Sequence, residues 1–175
     1  NPAGRVTTSV PWEGNATGIM LSAVRDRVVE RVKVTDAPLH CFAVDASWLP
    51  TETTGGATFY AESPSYNVTI RDCIGITPGV DDCFTTHYSH DITIVNCYAA
   101  IGTINPTSGG IQNGFEVDDG SWRVTVRDCY AKGAQNAVQV KGHSSAPPAY
   151  DVTIDNVTAE GCACGFAAVS TGAVA

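Results

Sequence analysis

Short runs of alternating apolar and polar residues recur along the chain. The clearest runs begin at Val68, Ile92, Val124 and Val152, and in each of them apolar residues occupy every second position. Each run then reaches an Asp or Asn residue, which favours a turn. This period-two pattern predicts short β-strands that end in turns.

A second pattern lies between these runs. An aromatic or aliphatic residue is followed two positions later by another apolar residue or Thr, in segments 41–45, 83–87, 114–118, 137–141 and 165–169. Two patterns that alternate at one period indicate a repeat architecture, in which each unit buries its apolar face against its neighbours. The sequence therefore predicts an all-β chain of stacked short strands.

The pattern also suggests how the chain is divided. Residues 1–17 carry no firm pattern and are interpreted as an irregular lead-in, whereas 18–175 are interpreted as a single domain. Segments 47–65, 99–112 and 142–149 break the period and are rich in Thr, Gly, Ser and Pro, so we expect surface loops there. Segment 24–34 also has helical spacing, but the turn that follows it favours strands.

Composition and charge narrow the function. A net charge of −8 argues against nucleic acid as a partner, because phosphates are bound by clustered basic residues. No apolar run approaches the roughly 18 residues of a membrane-spanning helix. The 7 Cys residues mostly share repeat positions, which predicts buried thiols that fill the core. Disulfides between stacked positions are the main alternative.

Particular motifs resemble a known family. The segments NVTIRDC, DITIVNC and DVTIDNV, with NGFEV and NAVQV between them, resemble the right-handed parallel β-helix of pectate lyases, polygalacturonases and phage tailspikes over 18–170. The resemblance implies a solenoid of about five to six coils with loop insertions. The segments GFEVDDG and VQVKGHSSAPPAYDVTI also resemble β-helices of phage tail proteins and related actinobacterial secreted proteins. That likeness implies part of a longer chain, and a homotrimer.

Ionisable residues gather on the central repeats. If Phe115 and Val117 face the core, then Glu116 and Asp118 face solvent, and stacking extends them into two columns. Those columns form a polar strip of six residues: Thr85, His87, Glu116, Asp118, Gln139 and Lys141. Among the corresponding residues of the outer repeats, which are mostly small or apolar, Asp45 is the exception. A polar patch confined to the centre indicates a functional site.

The strip suggests acid and base chemistry. Alternate residues on one strand lie about 6.6 Å apart, so Glu116 and Asp118 are expected near the ~6.5–9.5 Å separation of inverting glycosidases. His87 stacks beside Asp118, which orients it or keeps it protonated. Lys141 offers a cation for an acidic sugar, or a base if its pKa is lowered. The alternative is a solvated polar face with ion pairs.

The family resemblance adds candidates. Asp81-Asp82-Cys83 resembles the DDC segment of polygalacturonases, which implies catalytic aspartates at 81 and 82. The chain departs from that family at 39–41, where an Asn-Thr-Asp segment is expected, and at 113–115, where Gly-His-Gly is expected. Pectate-lyase-like proteins hold Ca²⁺ with carboxylates and use a basic residue as proton abstractor. This resemblance implies an alternative Ca²⁺ role for Asp81, Asp82, Asp118 and Asp119, and a basic role for Lys141.

Two functions follow as hypotheses. The first is a polysaccharide hydrolase or lyase located outside the cell or on a virion, with polysaccharide or cell-surface glycan as partner and either no cofactor or Ca²⁺. The second is a non-catalytic tailspike or adhesin module that binds glycan. Catalytic candidates are Glu116, Asp118, His87, Asp82 and Lys141. Substrate-binding candidates are Thr85, Tyr88, Gln139, His143, Trp48 and Trp122, and metal candidates are Asp81 and Asp119.

Overall fold

The computed structural model describes residues 6–7, 17–54, 57–76, 78, 81–102, 112–143 and 146–170. All regular elements within these ranges are β-strands. In chain order they are β1 (Val6–Thr7), β2 (Ile19–Ser22), β3 (Arg25–Glu30), β4 (Lys33–Thr35), β5 (Phe42–Asp45), β6 (Ser47–Thr54), β7 (Ala57–Ser63), β8 (Tyr66–Arg71), β9 (Ile74–Ile76), β10 (Phe84–His87), β11 (His90–Val95), β12 (Tyr98–Ala100), β13 (Asn113–Asp118), β14 (Trp122–Arg127), β15 (Tyr130–Lys132), β16 (Asn136–Gly142), β17 (Tyr150–Asp155), β18 (Thr158–Glu160) and β19 (Cys164–Ser170). The described part of the chain contains no helix able to cross a membrane.

Most strands belong to three parallel sheets. Sheet 1 has the order β19-β16-β13-β10-β5-β2, sheet 2 has β17-β14-β11-β8-β3, and sheet 3 has β18-β15-β12-β9-β4. The chain passes from sheet 1 to sheet 2 to sheet 3 and then returns to sheet 1, beside the strand it left. The predicted all-β class and parallel stacking are confirmed, and this topology is consistent with a β-helix-like fold.

The strand register reproduces the sequence repeat. In sheet 1, Phe84 is paired with Phe42 and with Phe115. In sheet 2, Ile92 is paired with Val68 and with Val124. Residues at one position of the repeat are therefore stacked in one column. The strand interpretation of segment 24–34 is also confirmed, because β3 and β4 lie there.

Stacked aromatic rings form the centre of the core. The Phe42 and Phe84 rings lie 4.7 Å apart with an interplanar angle of 2°, and the Phe84 and Phe115 rings lie 5.0 Å apart. All three side chains are fully buried. Parallel register requires this, since each ring lies one strand spacing above the previous ring.

The cysteines occupy the core as the repeat positions predict. All seven are free thiols, and Cys41, Cys73, Cys83, Cys97 and Cys129 are buried. Thiols also donate to carbonyl groups of the preceding repeat, for example from Cys97 Sγ to the Ile70 oxygen at 3.6 Å. They act as small apolar side chains with a weak hydrogen-bond donor.

Turn residues follow the strands of sheet 2 in left-handed backbone conformation. Asp72, Asn96, Asp128 and Asn156 have φ between 49° and 55°, which short polar side chains tolerate best. Their side chains also pair between repeats: Asn96 Nδ2 donates to Asp72 Oδ1 at 2.6 Å, and Asn156 Nδ2 to Asp128 Oδ1 at 2.8 Å. Backbone geometry and cross-repeat hydrogen bonding therefore explain the Asp and Asn residues of the motif.

The expectation of a loop at 47–65 is wrong. Strands β6 and β7 form an antiparallel hairpin there, with a register shift between Pro50 and Glu52. The segment is rich in Thr and aromatic residues, which favour strands but lack the period of the repeat. Val6–Thr7 of the expected lead-in pair with β7. Residues 1–5, 8–16, 103–111 and 144–145 of the other irregular segments lie outside the described residues.

Gly114→Ala is expected to destabilise the protein by about 1–3 kcal/mol, because the interior has no room for a methyl group. A Cβ at Gly114 would lie 2.8 Å from both Ala131 Cβ and the Ala137 carbonyl oxygen. Gly165 has the same repeat position, yet nothing lies within 4 Å of a Cβ there. In urea unfolding, Gly165→Ala should change the stability by less than about 0.5 kcal/mol. Equal effects of the two substitutions would contradict the packing at Gly114.

Candidate functional site

The predicted polar strip lies on sheet 1. Thr85 is paired with Glu116, and Glu116 with Gln139. His87 is paired with Asp118 in the neighbouring column. Alternation along β13 places Phe115 and Val117 in the apolar core, so the carboxylates of Glu116 and Asp118 lie on the opposite face. The two stacked columns are therefore present as predicted.

The expectation that this strip faces solvent is wrong. Thr85, Glu116, Asp118 and Gln139 are each no more than 2% exposed. The side chains of His87, Lys141 and His143 are 19%, 20% and 44% exposed. The strip is thus a buried ionic cluster that meets water mainly through its basic side chains.

A hydrogen-bonded chain links Asp45 to Glu116. His87 Nδ1 lies 2.6 Å from Asp45 Oδ1, and His87 Nε2 lies 3.3 Å from Thr85 Oγ1. Thr85 Oγ1 in turn donates to Glu116 Oε2 at 3.2 Å. Burial alone lowers the pKa of His87, but the carboxylates of Asp45, Asp118 and Glu116 outweigh it and raise the pKa to about 10. His87 is therefore an imidazolium at neutral pH and donates through both nitrogens.

Lys141 bridges the two predicted catalytic carboxylates. Its Nζ lies 2.8 Å from Glu116 Oε1 and 3.4 Å from Asp118 Oδ2. Burial alone lowers the pKa of Lys141, but Glu116 and Asp118 raise it above its ordinary value. A role for Lys141 as a base was expected only if its pKa were lowered, and in this conformation the two carboxylates shift the pKa the other way.

The spacing of the carboxylates also differs from the expectation. One oxygen of Glu116 and one of Asp118 lie within 4.8 Å of each other and of a His87 nitrogen. Inverting glycosidases place a water molecule between carboxyl groups that are about 6.5–9.5 Å apart. Lys141 contacts both carboxylates, and their nearest oxygens lie closer than the separation of carboxyl groups in inverting enzymes.

Asp118 has a second basic neighbour and a perturbed pKa. His143 Nε2 lies 3.1 Å from Asp118 Oδ2, and the Asp119 backbone N–H donates to Asp118 Oδ1 at 2.7 Å. Burial, together with the negative charges of Glu116 and Asp119, raises the pKa of Asp118 to about 6. Part of the Asp118 population is therefore protonated near neutral pH.

Asp82 is the most deeply buried acid of the cluster. It is 0% exposed, and its Oδ1 accepts a hydrogen bond from the Asn113 backbone N–H at 2.6 Å. Its Oδ2 has no hydrogen-bond partner. Burial and the neighbouring acids Glu116 and Asp81 raise the pKa of Asp82 well above its ordinary value. Burial and these two acids therefore oppose the ionisation of Asp82.

The pKa of Glu116 shifts in the opposite direction to that of Asp82. Burial alone raises its pKa, but Asp82, Lys141 and His87 outweigh burial and lower the pKa. Its Oε1 accepts from Asn113 Nδ2 at 3.1 Å as well as from Lys141. Glu116 is therefore the ionised member of the Asp82–Glu116 pair, and its charge is fully compensated within the protein.

Sequence reasoning missed several members of the cluster. Asn113 Nδ2 also donates to Gln139 Oε1 at 3.0 Å, and Asn136 Nδ2 donates to Asn113 Oδ1 at 2.7 Å. The signal was available, because both asparagines precede the core residue of their repeat by two positions. His40 was missed as well; its Nδ1 accepts from the Asp82 backbone N–H at 3.3 Å, and burial lowers its pKa.

The aromatic candidates pack in two different places. The Trp48 and Tyr88 rings meet edge to face at 5.6 Å. Trp122 stacks between His90, at 4.2 Å, and Tyr150, at 6.0 Å, on sheet 2. Trp122 is therefore not brought to the strip, and its contacts are those of an aromatic column that packs between repeats.

Three groups of side chains could hold a metal ion among the described residues. They are His40 with Asp81 and Asp82, His87 with Glu116 and Asp118, and Asp118 with Asp119 and His143. The predicted metal residues Asp81 and Asp119 thus fall in different groups. The His87 group is the least suitable, because its imidazole is protonated and its carboxylates are paired with Lys141.

A shallow groove of about 430 Å³ lies between sheets 2 and 3, away from the ionic cluster. Its lining residues are Asp72, Cys73, Ile74, Asn96, Cys97, Tyr98, Asp128 and Tyr130. The Tyr98 and Tyr130 rings stack at 5.5 Å along one side of it. The groove combines aromatic edges with carboxylate and amide groups.

Loss of the His87 proton should lower the free energy of unfolding as the pH rises. Its folded pKa of about 10 lies above the value of ~6.5 expected in the unfolded chain, so its contribution is complete below pH ~6.5 and is lost as the pH rises through ~10. We expect wild type to lose about 4 kcal/mol more than His87→Gln between these limits, measured by urea unfolding. Parallel pH profiles of the two proteins would contradict a charged His87.

The fold and the cluster together define an all-β protein with parallel sheets consistent with a β-helix and a buried ionic cluster on one sheet. No protein-family model matches the chain. The pre-neck appendage proteins of Bacillus phages phi29 and B103 are each 32% identical to it over 139 residues, which is 79% of this chain and 16% of theirs. The putative phage-related protein YobO of Bacillus subtilis is 30% identical over 156 residues, or 88% of this chain and 19% of that protein.

Solved structures agree with these matches. The crystal structure of pre-mature bacteriophage phi29 gene product 12 matches 91% of this chain and 20% of that one, with a TM-score of 0.75 and 25% identity. An N-terminal fragment of the same gene product matches with a TM-score of 0.73 and 26% identity. The chain spans less than a fifth of the length of the curated relatives it matches.

Proposed function

We propose that this chain is a virion-surface module of a phage appendage protein. In this proposal its strands wind as a right-handed parallel β-helix of five full coils and the first strand of a sixth. The observation that carries the proposal is the similarity to phage pre-neck appendage proteins across 79% of this chain. We further propose that the module assembles as a homotrimer, which sedimentation of the purified protein tests.

The ionic cluster supports a structural role. Glu116 and Asp118 share the Lys141 ammonium, and both carboxylates are 1% exposed. A catalytic carboxylate pair has to reach its substrate, whereas these groups are directed at one another and away from solvent. The proposal is therefore a module that supports the appendage and binds glycan, without cleaving it.

The open groove between sheets 2 and 3 is the proposed glycan-binding surface. Asp72, Asn96 and Asp128 supply carboxylate and amide groups for sugar hydroxyls, and the edges of Tyr98 and Tyr130 offer apolar contact. Asp128 is paired with Arg127 at 2.6 Å, whereas the Asp72 side chain accepts from the neutral Asn96 amide. The negative charge that remains at Asp72 favours a neutral or amine-bearing glycan over a uronate-rich one, because like charges repel.

Glycan binding and cleavage are tested together on a panel of neutral, amine-bearing and uronate-rich polysaccharides. Wild type is expected to bind one of the first two classes reversibly and to release no reducing ends. Tyr130→Ala should weaken binding at least about tenfold, which corresponds to about 1.4 kcal/mol. The matched control is Tyr150→Ala, since Tyr150 is 50% exposed and lies outside the groove. Equal losses of glycan affinity in both variants would contradict the groove as the binding surface.

Polysaccharide cleavage is the second candidate function. The observation that favours it is Asp118, whose pKa of about 6 suits a general acid near neutral pH. Release of reducing ends that disappears in Asp118→Asn, with binding retained, would establish cleavage. An unsaturated uronate product that is lost with EDTA would indicate a lyase instead.

A further inference from the structure

His40, Asp81 and Asp82 form a second polar group beside the Lys141-bridged carboxylates. We propose that these three residues bind one divalent transition-metal cation of the Zn²⁺ or Mn²⁺ class. The inference goes beyond the proposed appendage role, and its test does not depend on glycan binding.

The geometry of the three residues fits one ion. One potential ligand atom from each lies within 4.8 Å of the other two. Bonds of about 2.0–2.2 Å to a common ion require ligand atoms roughly 3–4 Å apart, so small side-chain movements complete the site. Adjacent repeats supply the residues, because His40 precedes β5 whereas Asp81 and Asp82 precede β10. The backbone bond from Phe42 N–H to the Cys83 oxygen, at 2.8 Å, holds these two segments together.

A buried oxygen without a hydrogen-bond partner is a candidate ligand for a cation. Asp82 is 0% exposed, and while its Oδ1 accepts the Asn113 N–H, its Oδ2 accepts no hydrogen bond. A buried carboxylate oxygen without a donor is costly and rare in folded proteins. A cation at Oδ2 would satisfy this oxygen.

The donor set selects the class of cation. One imidazole nitrogen with two carboxylate oxygens suits Zn²⁺ or Mn²⁺, whereas Ca²⁺ prefers six to eight oxygen ligands. His40 Nε2 lies 3.8 Å from Asp81 Oδ2 and faces the proposed ion. If Nε2 binds the ion, the imidazole proton lies on Nδ1. Nδ1 can then no longer accept the hydrogen bond from the Asp82 N–H, which is long at 3.3 Å.

The site has a route to solvent. The Asp81 side chain is 33% exposed, whereas the His40 side chain is 5% exposed. A hydrated cation therefore reaches Asp81 first and passes inward to Asp82 and His40, and water completes its coordination. Because Asp81 is the most exposed of the three ligands, its replacement should disturb the fold least.

The test is metal titration of EDTA-treated, dialysed protein by calorimetry and thermal unfolding. Because Cys162 and Cys164 are partly exposed thiols, the zinc titration uses a Cys162→Ser/Cys164→Ser background. We expect one Mn²⁺ or Zn²⁺ per chain and a rise in the unfolding temperature. Asp81→Asn and His40→Gln should each weaken binding at least about tenfold. The matched control Asp119→Asn should leave binding unchanged.

Anomalous diffraction from zinc-soaked crystals locates the ion independently of stability. A peak between His40 and Asp82 is expected. A peak at Asp118, Asp119 and His143, binding that His40→Gln leaves intact, or Ca²⁺ binding as tight as Mn²⁺ binding would each overturn the proposal. Absence of saturable binding in wild type would overturn it as well.

Discussion

Lys141→Met is expected to lower the free energy of unfolding by about 3–5 kcal/mol, measured by urea denaturation at pH 7. The substitution preserves the length of the side chain but removes the ammonium that lies 2.8 Å from Glu116 Oε1 and 3.4 Å from Asp118 Oδ2. Both carboxylates are 1% exposed, so water cannot replace the lost charge. Breaking one side of a buried ion pair is costly because the remaining charge stays buried.

An exposed lysine provides the control for this substitution. Lys132 pairs with Glu160 at 2.6 Å, but both side chains are about half exposed, at 52% and 51%. Lys132→Met should therefore change the stability by less than about 1 kcal/mol. The double variant Lys141→Met/Glu116→Gln should recover part of the loss, because it removes one of the stranded charges. Similar losses in the two lysine variants would show that burial of the Lys141 cluster is not decisive.

Phe84→Ala is expected to cost about 3–5 kcal/mol, the usual range for deleting a buried aromatic ring. Phe84 is fully buried and stacks on Phe42 at 4.7 Å and on Phe115 at 5.0 Å. Because it is the middle ring of the column, its loss leaves a cavity bounded by rings on both sides. Regular backbone pairing on each side limits how far the strands can collapse into that cavity.

Phe166→Ala provides a matched control in the same column. Phe166 is paired with Val138 in register but is 53% exposed on the last strand of sheet 1. Its removal should cost less than about 1 kcal/mol, because little apolar area returns to water. Thermal unfolding of both variants measures the difference. A loss at Phe166 as large as that at Phe84 would mean that further contacts cover this end of the sheet.

Local patterns were sufficient to predict the strands and their register. Ile92 pairs with Val68 and Val124 as the repeated motif requires, because a one-residue slip would turn every apolar side chain of a strand to the wrong face. The repeated motif also predicts the turn residues Asn96 and Asp128, which end their strands. The hairpin of β6 and β7 was missed because antiparallel pairing within an insertion leaves no trace in the period of the repeat.

The sequence also grouped the polar residues correctly but assigned them the wrong environment. Stacking places Thr85, Glu116 and Gln139 in one column, which follows from register alone. Their burial depends on the three-dimensional arrangement around that face of sheet 1, and Lys141 reaches two carboxylates only in the folded chain. The pKa of Lys141 rises for that reason, whereas the role as a base that the sequence suggested required a lowered pKa.

The sequence by itself determined the all-β class, the parallel stacking and the columns of residues, because these depend on a period of two along each strand and on one repeat along the chain. Only the tertiary structure decided what those columns do. It buried Glu116 and Asp118 around Lys141, and it brought His40 beside Asp81 and Asp82 from a different repeat. Burial and charge proximity are properties of the whole fold, and they determine which of these groups carry a charge and which can receive a ligand.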